Sequence, residues 1–470
     1  MDINIDNNID TNIDTNIDTN RNTNMDIEEY LIDYKIISDV IHGSISLSKL
    51  AMLIIDTPEF QRLRHLKQLS TCYFAFPNAI HTRFEHSIGT YHICKKMMYA
   101  IKNKSKQVEL DIIKDIPELY SYYNNNKIES NYLTQFIIEL VAIASLCHDL
   151  GHAAFSHLFD DYFLKNIKMN DEKKKYMYHE HRSCILLEHI IKNNNVLKSI
   201  IDENLLKFIY NIINPDPEIH IGYIYQIVSN SLNSIDIDKF DYLTRDSKML
   251  GINISFNYNR LIDNALVINN VVCYPKKVDT DIINLFMMRH YMHKKIYSHK
   301  TVIASLLIIN DLLKIMNEYL DFINNLDNIS TFIMITDDYI INLGRFYSQT
   351  DDRLKIIFDR LDKHNFYNLI YHTYMEPSET ITDVLHKYID DDKDIVYFEN
   401  IIGFISGKKR NPLEHVFLYE TKNPYNKISN LLQSESNKLL PQNYQEKLIM
   451  LFHKEKNNIV IDNVKRFKKQ

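Results

Sequence analysis

The sequence predicts a mainly α-helical fold: a helical core carrying small β-hairpins, followed by a smaller α+β lobe toward the C-terminus. Three observations carry this expectation. Apolar residues recur at helical spacing through most of residues 59–319, the pattern of amphipathic helices facing one core. Within that stretch and just before it, only Tyr34–Ile37 and Val271–Tyr274 read as β-prone, each the length of a hairpin strand. After about residue 320 the pattern turns mixed, with strand-like Ile395–Phe398 and His415–Tyr419.

Residues 5–20 repeat a four-residue unit, Ile-Asp-Asn-Asn and then Ile-Asp-Thr-Asn three times. Asn and Asp bond nearby backbone in non-helical conformations, so residues 1–27 read as a disordered low-complexity tail. A core over residues 28–320 and a C-terminal lobe over 321–470, serving regulation or oligomerisation, are expected to follow. Glu59–Leu69 places Phe60, Leu63, Leu66 and Leu69 on one helical face. Further helices are expected over Arg83–Ile101, where Phe84, Ile88 and Tyr91 share the core face, then over Asn131–Cys147, His179–Lys192, Leu205–Ile213 and Asp281–Tyr319. Asn124–Asn126, Lys173–Lys175 and Asn193–Asn195 read as loops.

A chain of 470 residues has room for two or three domains. Its 54 basic and 61 acidic residues leave a formal charge of −7, so a general affinity for nucleic acid is not favoured and any anion site must be local. The five cysteines, Cys72, Cys94, Cys147, Cys184 and Cys273, form no C-x-x-C pair, which points to a reducing compartment. No stretch approaches the roughly 20 apolar residues of a membrane span. The polar N-terminus speaks against a secretory signal. An intracellular protein, cytoplasmic or nuclear, is expected. The basic run Lys465-Arg466-Phe467-Lys468-Lys469 reads as a solvated helix end rather than a nuclear address.

The chemistry concentrates at Cys147-His148-Asp149-Leu150-Gly151-His152, which continues into Ala153-Ala154-Phe155-Ser156-His157. Neighbouring helical side chains diverge by about 100°, so His148 and Asp149 can share an ion only at a strained or terminating turn. Gly151 suits such a turn. Upstream, His81-Thr82-Arg83-Phe84-Glu85-His86-Ser87 opens another helix; downstream, Asp236, Asp238 and Asp241 precede Arg245-Asp246. Phosphate-ester hydrolysis calls for metal, proton donors and anion-binding groups in one pocket. His, then His-Asp, then a distant Asp is the ordered pattern of the HD phosphohydrolase superfamily.

Longer motifs narrow the resemblance. Asp39-Val40-Ile41-His42-Gly43, the Ile55–Arg64 stretch, Lys67-Gln68-Leu69, Phe76-Pro77, the His81–Ser87 and Asp236–Asp246 blocks and Arg289–Lys300 follow in order. Together they resemble the SAM-and-HD-domain deoxynucleoside triphosphate triphosphohydrolases, over about residues 35–310 and again faintly at Asn411–Val416. The sterile-alpha-motif domain of the namesake has no match, and the repeat tail stands in its place. The resemblance implies an HD-domain helical core.

It also implies roles. His86, His148, Asp149 and Asp238 match metal ligands, a set that suits Fe²⁺, Mn²⁺ or Zn²⁺, with Mg²⁺ accompanying the nucleotide. His152, His157 and His179 match active-site histidines that are not ligands. The nucleoside 5′-oxygen leaves readily only when protonated; His157 is the expected general acid, oriented by Asp160 and flanked by His152. Arg83, Lys239, Tyr242 and Arg289 resemble a triphosphate clamp. Gln68 and Asp246 are expected to bond the 3′-hydroxyl, while Leu69 and Tyr297 leave no room for a 2′-hydroxyl. Asp56, Gln61 and Arg64 resemble a guanine-reading regulatory site, with Lys35 as its phosphate contact. Arg260, Lys277, Lys295, His299 and Lys300 match part of a second nucleotide site. There Ser38, Pro275 and Asp281 depart from the family pattern, and Ser298 stands where a Gln is common.

The expected activity is hydrolysis of dNTPs to deoxynucleoside and tripolyphosphate, activated by GTP or dGTP within a dimer-to-tetramer assembly. The cleavage position comes from the resemblance; spacing alone says phosphohydrolase. The rivals are an HD phosphodiesterase acting on another nucleotide and a catalytically silent nucleotide- or nucleic-acid-binding regulator. Deoxyribose-pocket residues oppose the first and the intact ligand set opposes the second.

Overall fold

In a computed structural model, residues 27–253, 256–379, 392–404, 411–426, 428–433 and 443–455 are described. Residues 1–26 of the expected tail and the basic run at 465–469 lie outside them. The helix Gln135–Cys147 is apolar all round and buried from Phe136 to Cys147. Such a helix is stable only inside other elements, and the helices Arg83–Lys104 and Glu203–Ile213 flank it. Each Leu or Ile buried along it contributes about 1.5–3 kcal/mol. Its acid, Glu139, meets Ser48 Oγ at 2.6 Å, Tyr91 Oη at 2.7 Å and Lys95 Nζ at 3.2 Å, so the buried charge is partnered.

Local chemistry sets where the neighbouring helices begin. Thr82 and Glu85 form a capping box, so Arg83 and His86 fall on the first turn of Arg83–Lys104. Phe84, Ile88 and Tyr91 are buried as their spacing predicts. Asp236 caps Ile237–Met249 through Lys239 N, and that helix packs on Arg83–Lys104.

The small sheets follow the expected hairpins. Strands β1 (Asp33–Asp39) and β2 (Gly43–Ser48) pair antiparallel. β3 (Leu266–Ile268) and β4 (Val271–Pro275) join through Asn269 and Asn270, both left-handed, as a tight hairpin requires. Beyond residue 320, β5 (Asn368–Met375), β6 (Ile395–Gly403), β7 (Phe417–Tyr419), β8 (Ile428–Asn430) and β9 (Gln445–His453) make the α+β part with the helices Asp337–Tyr347 and Asp352–Asp362. β7 pairs parallel with β4, giving the order β3-β4-β7-β8, while β5-β9-β6 is antiparallel. One buried apolar cluster extends from Leu31 to Phe452, so the C-terminal elements pack into the same core.

The helix expected from Asn131 begins at Gln135, Asn124 and Asn125 end the helix Tyr120–Asn125 rather than forming a loop, and Ile237–Met249 is not among the expected helices. Two further helices differ more. Glu59–Leu69 shortens to Pro58–Gln61 and a 3-10 turn at Arg62–His65, because Leu66 is extended and Lys67 bridges to Thr82. Asp281–Tyr319 forms two helices, Asp279–Met292 and Lys300–Leu320, around a π-turn at His293–Tyr297. His299 is extended and its Nδ1 accepts Thr301 N, starting the second helix afresh. The break brings Tyr297 Oη to Asp246.

Candidate active site

Three helix ends deliver ligand-type side chains to one point: His86 from Arg83–Lys104, His148 and Asp149 from the end of Gln135–Cys147, and Asp238 from Ile237–Met249. His86 Nε2 lies 3.1 Å from Asp238 Oδ1 and 3.5 Å from Asp149 Oδ2. His148 Nε2 lies 3.4 Å from Asp149 Oδ1 and 3.5 Å from Asp238 Oδ1. The Nδ1 atoms are engaged elsewhere, at 2.8 Å from Asp241 Oδ2 and 2.7 Å from Ser145 O respectively. Carboxylate and carbonyl only accept, so both Nδ1 atoms carry hydrogen, and in the neutral rings both Nε2 lone pairs face the shared space.

Each of these Nε2 atoms is buried without a hydrogen-bond partner. A lone pair facing two carboxylates calls for a cation between them. Burial opposes charge on His86, yet Asp238, Asp241 and Asp149 lift its pKa to about 10. Burial also opposes charge on Asp149, and Arg83 with His148 and His152 holds its carboxyl well below the usual range. Two imidazoles and two carboxylates around one point fit a divalent transition ion.

Gly151 does not take the left-handed backbone of a helix terminator; among the described residues, the positive-φ glycines are Gly43, Gly222, Gly251 and Gly403. A Cβ on Gly151 would stand 2.2 Å from His179 O and 2.3 Å from Ser183 N. It is glycine because the helix His179–Lys192 touches its backbone. Ser183 Oγ ties the two, accepting from Gly151 N at 2.8 Å and donating to His148 O at 2.6 Å. The left-handed residues are Phe155 and Ser156, at φ 61 and 57. Such strain persists only where neighbours impose it. Asp337 Oδ1 accepts Phe155 N at 2.7 Å, and Ser156 Oγ donates to Lys67 O and accepts Arg83 Nε, both at 2.9 Å. Asp337 also accepts Lys67 N at 3.0 Å. Burial raises its pKa to about 6, against the pull of those two amides. No local sequence signal marks Asp337 for this position.

The bend presents three histidines. His152 and His179 stack with centroids 3.8 Å apart, and His157 meets their edges at 4.9 and 5.4 Å. Asp160, expected to orient His157, instead lies 3.0 Å from His179 Nδ1 and bonds Arg182. His157 has 62% of its side chain exposed, with Asp161 Oδ2 at 3.6 Å. The wide π-turn Leu158–Phe163 accounts for the swap, turning Asp160 inward and Asp161 outward. Burial, then Arg83 and His179, pushes the His152 pKa well below its usual value. Against burial, Glu180 and Asp160 raise that of His179. The stacked pair is thus a neutral ring on a more readily protonated one.

A family model for the HD domain matches residues 83–246, which run from Arg83 to Asp246 and contain the whole ligand set. An HD domain-containing protein of Acanthamoeba polyphaga mimivirus is 37% identical over 402 residues, covering 81% of this chain and 84% of that protein. The deoxynucleoside triphosphate triphosphohydrolase SAMHD1 homolog of Dictyostelium discoideum is 30% identical over 434 residues, covering 90% of this chain and 78% of that protein. The chain belongs to the SAMHD1 family of HD-domain hydrolases. The human deoxynucleoside triphosphate triphosphohydrolase SAMHD1 is 29% identical over 472 residues, covering 89% of this chain and 70% of that protein.

Other expected residues of this SAMHD1-family chain fall around the same centre. Arg83 pairs with Asp149, and Lys239 Nζ lies 3.0 Å from Asp236 Oδ2. Burial raises the Tyr242 pKa while nearby Arg289 and Lys239 lower it, so the three stand together. Arg289 also donates to Gly403 O at the end of β6. His293, given no role from sequence, is pushed well below its usual pKa by burial, then by Arg289 and His157. The oxygens of Asp246 accept His81 Nε2 at 2.8 Å and Tyr297 Oη at 2.6 Å, so Asp246 holds Tyr297. Leu69 and Tyr297 pack in one apolar cluster with Cys72 and Val302. Gln68 Oε1 is buried without a partner.

The regulatory candidates lie outside this cluster of ligands. Gln61 Nε2 donates to Ile55 O at 2.8 Å, beside exposed Asp56, and Gln61 Oε1 accepts Arg64 Nε at 2.9 Å. The Arg64 guanidinium covers the Phe84 ring at 3.4 Å, and Lys35 is exposed on β1. In the second group, Arg260 is paired with Asp281 at 2.6 Å and reaches Lys277 O at 3.4 Å. Lys295 and Lys300 are exposed, and His299 caps its helix against Phe76. Among the described residues, no helix is long and apolar enough to cross a membrane. All five cysteines are buried and unpaired.

Proposed function

We propose that this chain hydrolyses deoxynucleoside triphosphates at the α-phosphorus, releasing deoxynucleoside and tripolyphosphate. The observation that supports it most is the pair of unpartnered, buried Nε2 atoms of His86 and His148, aimed at Asp149 and Asp238 beside Arg83, Lys239 and Arg289. Relatives named for this reaction support the substrate. His86, His148, Asp149 and Asp238 would hold a divalent ion, Fe²⁺, Mn²⁺ or Zn²⁺, which would supply Lewis-acid polarisation. Arg83, Lys239, Tyr242 and Arg289 then face the roughly four negative charges of a triphosphate and its Mg²⁺. His157, at the exposed edge of the histidine trio, donates its proton to the leaving 5′-oxygen. His152 stays neutral, and Asp160 fixes the ring of His179 behind it.

Gln68 Oε1 takes the 3′-hydroxyl, and Tyr297, held by Asp246 against the Leu69 cluster, excludes a 2′-hydroxyl. Incubation with each dNTP and with GTP, followed by chromatography, tests both statements. Tripolyphosphate is the expected product, and dGTP should turn over at least about 10²-fold faster than GTP. Equal rates would remove the exclusion argument. Monophosphate or diphosphate products would move the protein to the phosphodiesterase reading, and no product to the regulator reading.

We further propose activation by a guanine nucleotide at Asp56, Gln61, Arg64 and Lys35. Asp56 accepts from guanine N1 and N2, and Arg64 donates to O6; adenine offers neither complement. In this reading the ligand joins subunits, and the lobe at 321–470 takes part in a dimer-to-tetramer assembly. The Arg260–Asp281 pair uses up charge at the second site and leaves a looser assembly there. Sedimentation and dATP turnover with GTP should show a larger species and about 5–150-fold activation. Asp56→Ala should lose both, and ATP should not replace GTP. A wild-type rate and mass indifferent to GTP would show that these residues are a structural remnant.

A further inference from the structure

Among the ligand candidates, His86 has a wholly buried ring whose Nδ1 is tied to one group, Asp241. Asp241 sits three residues after Asp238, on the same face of Ile237–Met249, and is itself fully buried. Its two oxygens accept four bonds: Oδ2 from His86 Nδ1 and Arg245 Nε, each at 2.8 Å, and Oδ1 from His42 Nε2 at 2.6 Å and Arg245 Nη2 at 2.9 Å. An ionised carboxylate offers about four acceptor positions, so Asp241 is saturated and cannot turn.

One of its partners, His42, belongs to the β1–β2 turn, and a second, Arg245, is bonded by Asp39 of that turn. Asp39 Oδ1 accepts the backbone N–H groups of Ile41 and His42, both at 2.8 Å, which shapes the turn. Asp39 Oδ2 accepts Arg245 Nη1 at 2.7 Å, and Tyr258 Oη lies 3.2 Å from His42 Nδ1. The turn thus holds Asp241 directly through His42 and indirectly through Arg245. A separate observation comes from the facing helix. Gly89 lies three residues after His86, and a Cβ built on it would stand 2.1 Å from Asp241 Oδ1 and 2.4 Å from Arg245 Nη2. The carboxylate fits against the helix that carries His86 only because that residue has no side chain.

We propose that Asp241 is a positioning residue for His86, locked by His42 of the β1–β2 turn and given its space by Gly89, so that this hairpin sets the affinity of the metal centre. The proposal rests on the reading of His86 as a ligand. Carboxylates behind ligating histidines fix the ring and raise its basicity, and their loss weakens metal binding by about 10–100-fold. The turn therefore reaches the metal through one hydrogen-bonded carboxylate.

Equilibrium dialysis with Mn²⁺, together with the paramagnetic resonance spectrum of the bound ion, tests this on the full chain. Asp241→Asn, which keeps the shape but not the four acceptor sites, should weaken Mn²⁺ binding by about 10–100-fold. Gly89→Ala removes no polar group, yet should weaken binding in the same direction by displacing the carboxylate. His42→Gln leaves Arg245 its two acidic partners and keeps the test available if the other variants fold poorly. It should also weaken Mn²⁺ and alter the spectrum. Thermal midpoints taken in chelator separate folding from affinity. Variants that lose only thermal stability, and bind Mn²⁺ within about twofold of wild type, would overturn the proposal while leaving the metal reading intact. A wild-type chain that binds no Mn²⁺, Fe²⁺ or Zn²⁺ would overturn both.

Discussion

His148→Ala is expected to abolish metal binding and to lower dNTP hydrolysis by at least about 10³-fold, with helicity nearly unchanged. Loss of one preorganised electrostatic group at a reacting centre already costs about 10²–10³ in rate, and this change removes a ligand outright. The folding cost is small, because the ring sits at a helix end and its main internal tie is one bond to Ser145 O, worth about 1 kcal/mol. Asp149→Ala is a poorer test. It strips Arg83, only 2% exposed, of its carboxylate, and an unpaired buried charge costs about 3–5 kcal/mol. Asp149→Asn keeps the shape and should show the same loss of metal. Metal content, tripolyphosphate release and circular dichroism read the three quantities separately. Hydrolysis retained by a variant shown to be metal-free would falsify the ligand assignment.

His157→Asn should lower turnover by about 10²–10⁴-fold, the range for a positioned general acid, with metal content unchanged. That combination is diagnostic, since His157 is exposed at the edge of the trio and none of the four ligand candidates depends on it. Removing it should also flatten the high-pH limb of the turnover profile, because the acid must be protonated to act. Asp160→Asn should behave differently. It unpairs His179 and buried Arg182, so its thermal midpoint should fall along with its rate. Were His157→Asn to turn over at the wild-type rate while His179→Asn did not, the proton donor would be His179.

The helix ends that carry His86, His148 and Asp149 were legible in the sequence, while the ligand role of the set came from the family resemblance. Thr82 with Glu85 opens one helix and the apolar run to Cys147 closes another, whereas the third, Ile237–Met249 behind its Asp236 cap, was not among the expected helices. Helical periodicity fixed which faces are buried, as Phe84, Ile88 and Tyr91 show. The hairpins at Tyr34–Ile37 and Val271–Tyr274 were legible too, since β-prone runs bounded by turn residues have few alternatives.

Tertiary structure decided what those signals do not encode. Gly151 looked like a terminator, yet its reason is the backbone of a helix almost thirty residues on. Asp160 looked like the partner of His157 by spacing, and a π-turn gave it to His179. Asp337 reaches back to the strained Phe155 bend, and Asp241 takes its meaning from His42, Arg245 and the bare backbone at Gly89. Periodicity and capping act within one or two turns of chain, so they reveal which segments fold and which face turns inward. Which buried acceptor meets which donor depends on how whole helices pack, where a single methyl group or one extra residue in a turn redirects a side chain.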